Sequence, residues 1–69
     1  MPVFDIRLLR EPIWATPPQY LARSLHDARG IEEARQIARQ WLGETPDADG
    51  FDIVDPYNGR QLDLRYRGT

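Results

Sequence analysis

The sequence predicts an α+β fold: a small antiparallel sheet of three or four strands with one amphipathic helix packed on one face. Three observations carry this. "VFDIRLL" near the start alternates apolar and polar residues with period two, as a strand with one wet face does. "IEEARQIARQWLGE" repeats its apolar residues at helical spacing. "FDIV" and "QLDLRY" read as two further strands joined by a short loop.

In the first strand, Val3–Leu9, the residues Phe4, Ile6 and Leu8 fall on one face and Asp5 and Arg7 on the other. "REPIWATPPQ" (Arg10–Gln19) holds three prolines, which exclude a helix interior or a central strand, so it reads as a connection. Ile13 and Trp14 are unusually apolar for one; they either fold back over the core or stay partly exposed.

"YLARSLHDARG" (Tyr20–Gly30) supports two readings. As a helix, Thr16 is the N-cap, Pro17 takes the first helical position and Gln19 completes a capping box, with Leu21, Leu25 and Ala28 on one stripe. As a strand, Tyr20–Leu25 returns antiparallel to the first strand and "HDARG" leads into the next helix. The two give βααββ and ββαββ respectively.

In Ile31–Glu44 the residues Ile31, Ala34, Ile37, Ala38, Trp41 and Leu42 form one apolar stripe. Glu32 and Glu33 lie in the first turn, where the helix dipole favours negative charge, and Gly43 is the expected stop. Thr45–Gly50 is a polar loop. Phe51 and Ile53 share a face of the third strand, as do Leu62, Leu64 and Tyr66 in the last; Asp52, Asp63, Arg65 and Arg67 alternate against them. The expected core joins Phe4, Ile6, Leu8, Phe51, Ile53, Leu62, Leu64 and Tyr66 to Ile31, Ile37, Ala38, Trp41 and Leu42.

At 69 residues the chain suits a single domain, residues 1–69, with a thin stability margin. There is no Cys and one His, His26, which excludes a disulfide and argues against structural zinc. No apolar run is long enough for a membrane span, and the N-terminus lacks the pattern of a signal peptide, so a cytoplasmic protein is expected. All nine basic residues are Arg, but they are spread along a chain of formal net charge −2, which argues against a basic nucleic-acid face.

The pieces "MPVFDIR", "IEEARQIARQWL" and "FDIVDPYNGRQLDL", about half of the chain, resemble several groups of short bacterial proteins of unknown function. The resemblance implies a ββαββ layout and so favours a strand at Tyr20–Leu25. The long proline-rich segment departs from it. It implies no activity and no catalytic residue.

The search for chemistry is mostly negative. Ser24 and His26 would share a face on a strand, but Asp27 would point away and nothing supplies an oxyanion hole. "DADGFD" (Asp47–Asp52) lacks the distal Glu of a calcium loop. Gly30 stands alone before Ile31, too little for a phosphate cradle. "VDPYNGRQ" reads as a turn: Asp55, Pro56, Asn58 and Gly59 all serve its closure, leaving only Tyr57 and Arg60 without a local task.

The sequence therefore predicts a non-enzymatic protein-interaction module with no catalytic residue, no cofactor and no metal. Its candidate surface is Ile13, Trp14, Tyr20, Tyr57 and Arg60. The partner would be an unidentified protein or a second copy, bound through a sheet edge or the Ile13–Tyr20 segment. The alternative is a nucleic-acid-associated regulatory protein using Arg7, Arg65 and Arg67 on the open sheet face, where Asp5, Asp52 and Asp63 would neutralise much of the charge.

Overall fold

A computed structural model describes residues 2–14 and 16–68. The elements run β1 (Val3–Arg10), β2 (Gln19–Asp27), α1 (Ile31–Gly43), β3 (Gly50–Val54) and β4 (Gln61–Tyr66), a ββαββ order. The four strands form one antiparallel sheet in the order β2-β1-β3-β4.

Residues 19–27 are thus a strand. As a helix, the segment would compete with α1 for one face of a three-stranded sheet. As a strand it satisfies the second row of backbone groups on β1, which would otherwise stay unpaired. It pairs from Val3↔Asp27 to Leu8↔Ala22, then shifts so that Leu9 faces Tyr20.

On the helix side, Phe4, Ile6, Leu8, Phe51 and Ile53 meet Ala34, Ala38 and Leu42, with Ala28 and Ala48 also in the cluster. Ile31, Ile37 and Trp41 pack at its margin. The helix crosses β1 and β3, leaving the edge strands less covered.

The two ends of α1 are finished differently. Gly30 precedes it in extended backbone without a side-chain cap, and Glu32 and Glu33 occupy the first turn. Gly43 does not stop the helix by turning left-handed: it is the last helical residue, and the cap is Glu44 in right-handed backbone. The last carbonyls accept from the backbone N–H groups of Glu44 (to Gln40 O and Trp41 O) and Thr45 (to Leu42 O), and side chains add further donors here. Thr45 Oγ1 donates to Trp41 O at 3.0 Å. Arg67, from the end of β4, donates to Leu42 O (2.5 Å), Thr45 O (3.0 Å) and Ala48 O (2.8 Å). A cation from outside the helix thus meets the negative end of its dipole.

The last strand faces the opposite way from the expected one. Phe51 pairs with Arg65 and Ile53 with Asp63, whereas Asp52 pairs with Leu64 and Gly50 with Tyr66. Asp63 and Arg65 therefore share the helix side, and Leu64 and Tyr66 share the open side. Leu62 and Leu64 are not core residues; they keep 39% and 41% of their surface. The cause is an irregularity between Ile53 and Val54 that leaves Leu62 as an extra residue. One extra residue moves every later side chain to the other face. Arg35 of the helix fixes that choice by donating to Asp63 Oδ2 at 2.7 Å.

Candidate interaction surfaces

The structure divides the five predicted surface residues among three places. Ile13 and Trp14 sit between β1 and β2, at one end of the sheet; Tyr57 and Arg60 sit between β3 and β4, at the other. The eight residues of β1 separate these ends by about 25 Å. Tyr20 lies on the open face near the first end, with the Arg7 guanidinium stacked 4.1 Å from its ring centroid.

Trp14 does not plug the core. It is 95% exposed and Ile13 73%. Trp14 has φ 52°, a left-handed conformation uncommon for a bulky side chain. Thr16 holds it there: its N–H donates to Trp14 O at 2.7 Å, and its hydroxyl donates to Ile13 O at 2.6 Å and accepts from Ile13 N at 3.2 Å. The base of the connection is tied to the β3 side, where Glu11 N donates to Asp49 Oδ2 at 2.8 Å. Strained backbone thus holds an indole away from the protein's own apolar surface.

At the far end, "VDPYNGRQ" closes as a turn. Asp55 Oδ1 accepts from Tyr57 N at 2.8 Å, Asn58 Oδ1 accepts from Arg60 N at 2.8 Å, and Gly59 takes φ 74°. Tyr57 projects from it, 88% exposed.

Three rows cross all four strands on the open face, Leu25–Asp5–Val54–Gln61, Arg23–Arg7–Asp52–Leu64 and Tyr20–Leu9–Gly50–Tyr66, with the Val3–Asp27 pair beyond them. Leu9 and Val54 are buried without help from the helix, and so are Asp5 and Asp52. Arg7 grips Asp52 at two points, Nε to Oδ1 at 2.8 Å and Nη2 to Oδ2 at 2.5 Å, and Gln61 Nε2 adds a third bond at 3.2 Å. Donating to the Asp52 carboxylate raises the Arg7 guanidinium above its ordinary pKa. Arg23 donates to Asp5 Oδ2 at 2.6 Å, whereas Asp5 Oδ1 is buried without a hydrogen-bond partner among the described residues. Burial pushes the Tyr66 phenol up.

The predicted arginine strip is not assembled. Arg7 is engaged with Asp52, Arg65 lies on the helix side bonded to Asp63, and Arg67 caps the helix. Ser24 and His26 do share the helix side of β2 and line an open groove of about 380 Å³ with Ile37, Gln40, Trp41 and Glu44. The His26 ring packs edge-on to Trp41 at 6.2 Å, and Asp27 faces the other side of the sheet. In "DADGFD", Asp49 and Asp52 accept from Glu11 N and Arg7. Among the described residues no three His, Cys, Asp or Glu gather as a metal site would require, and no helix is long and apolar enough to cross a membrane.

Sequence reasoning missed the structural roles of Asp5, Gly50 and Asp52. The available signal was "LL" at Leu8–Leu9: two adjacent large apolar residues in a strand put one on each face.

No family model matches the chain, and no curated protein or solved structure matches it.

Proposed function

We propose that the protein is a non-enzymatic interaction module that engages another protein through the Ile13–Trp14 tip of its first hairpin. The observation supporting this is the 95% exposure of Trp14 on a left-handed backbone that Thr16 holds. Tryptophan is a frequent interface anchor because it combines large apolar area with few rotatable bonds. A conformation that costs about 1 kcal/mol, used to display an indole, is consistent with selection for contact rather than for stability.

The test compares the wild type with Trp14→Ala as bait in its native cells, with purification and reconstitution of whatever distinguishes them. The expected result is a partner that binds the purified wild type, shifts Trp14 emission to the blue in a Trp41→Phe background, and is lost with Trp14→Ala. Both baits should unfold at the same denaturant concentration. Identical partners for both, or a Trp14→Ala chain that no longer folds, would sink the reading.

A further inference from the structure

β2 is one edge of the sheet, and from Ala22 to Asp27 its pairing is regular. Just beyond it, Ala28 N donates to Pro2 O at 3.1 Å. Antiparallel alternation then directs the N–H and C=O of His26 and Ser24 toward β1, and those of Arg23, Leu25 and Asp27 outward. Among the described residues no strand lies beyond this edge, and neither proline nor lysine interrupts it. Leu25 is 59% exposed. Asp27 has no ion-pair partner among the described residues, while Arg23 reaches Asp5 and remains largely in solvent.

We propose that β2 pairs antiparallel with β2 of a second copy, with Leu25 opposite the partner's Leu25 on the two-fold axis. Charge selects this register among those the outward backbone groups allow. An axis on Arg23 opposes two guanidiniums, and one on Asp27 opposes two carboxylates. An axis on Ser24 sets Arg23 against leucine, and one on His26 sets Arg23 against the partner's Arg29 and leaves Asp27 opposite leucine. Only the axis on Leu25 places Arg23 opposite the partner's Asp27, twice, with the leucine pair between them. The same register sets Ser24 beside the partner's His26 on the helix side. The product is one eight-stranded sheet with both helices on the same face.

The β4 edge has a similar alternation at Asp63, Leu64 and Arg65. Its Asp63, however, already accepts from both Arg35 and Arg65, so it has less to offer a partner. The β2 edge lies apart from the Ile13–Trp14 tip, so dimerisation and partner binding through the tip stand or fall separately.

Light scattering on the full chain over a range of concentrations tests the dimer. The expected mass rises toward twice 8.0 kDa. A five-residue pairing is small beside the about 1,600 Å² of a standard interface, so micromolar dissociation is expected. Asp27→Arg should weaken association at least tenfold while leaving circular dichroism unchanged. A second measurement uses the absence of native cysteine. Leu25→Cys places two thiols at a hydrogen-bonded pair with Cα atoms about 5.5 Å apart, within disulfide range. It should form a covalent dimer under mild oxidation much faster than Leu64→Cys on the other edge. A wild type that stays monomeric up to about 1 mM, or Leu64→Cys crosslinking as fast as Leu25→Cys, would overturn the proposal.

Discussion

Arg7 and Asp52 face each other across the two central strands and form a two-point ion pair in which the Asp52 side chain is wholly out of solvent while Arg7 keeps 26% of its surface. The pair sits on the sheet face that no helix covers, between buried Leu9 and Val54 and beside Tyr20. Its two halves are therefore unequal. Removing Arg7 strands a buried carboxylate whose one other side-chain donor among the described residues is Gln61. Removing Asp52 leaves a guanidinium that can turn toward water.

The expected order of damage follows from that asymmetry. Arg7→Ala should cost about 3–5 kcal/mol, the range for orphaning a buried charge. Asp52→Ala should cost less, about 1–3 kcal/mol. Urea denaturation at pH 7 measures both. Equal losses, or a larger loss for Asp52→Ala, would show that the carboxylate is not the member trapped by burial.

Gly50 should tolerate no side chain. A Cβ there would stand 2.2 Å from the backbone oxygen of Arg65 and 2.9 Å from both Tyr66 Cα and the edge of its ring. The constraint is space, not backbone angle, because Gly50 is not among the positive-φ glycines. Gly50→Ala must push β4 away from β3 or expel the Tyr66 ring, for a loss of about 2–3 kcal/mol. Shrinking the ring alone does not help, since the closest atom belongs to the Arg65 main chain. Tyr66→Ala in the Gly50→Ala background should therefore recover none of the loss. Restoration of the unfolding midpoint by that second change would show that the ring, not the strand, was the obstacle.

These features explain which parts of the fold were legible. Period two in "VFDIRLL" and the apolar stripe of "IEEARQIARQWL" identify their elements because a single buried face writes each pattern. "QLDLRY" identifies a strand equally well, but alternation says only that Leu62, Leu64 and Tyr66 differ from Asp63 and Arg65. Which set faces the helix depends on one extra residue at Leu62, and nothing in the alternation marks it. Apolar residues on both sides of β1 and β3 make either assignment reasonable until Arg35 is seen to hold Asp63. The segment from Tyr20 to Gly30 was ambiguous for another reason: Thr16, Pro17 and Gln19 suit a helix start, and only the need to pair β1 on its second side decides against it. For the surface, local chemistry sufficed at Asp55–Gly59, where each residue's task lies within the turn. Trp14 could not be placed from sequence, because a connection of that length reaches either the core or solvent.

Asp63 should make stability depend on acid. Partial burial pushes its carboxyl up, but hydrogen bonds from Arg35, Arg65 and the Leu64 N–H outweigh this and hold it below its ordinary value. A carboxylate whose folded pKa is depressed contributes fully above its unfolded value, near 3.9. The contribution fades as pH falls through the lower folded value. Asp63→Asn removes the charge at every pH, so it should lower the urea midpoint clearly at pH 7 and pH 5. At pH 2–3 the wild-type group is itself being protonated, and the gap should narrow. Arg35→Gln should narrow in the same way, because the bond from Arg35 to Asp63 joins the helix to β4. Urea titrations of the three chains at pH 7, 5 and 2.5 check this. A gap that stays constant or widens in acid would mean that the Arg35–Asp63 bond is not what ties β4 to the helix side.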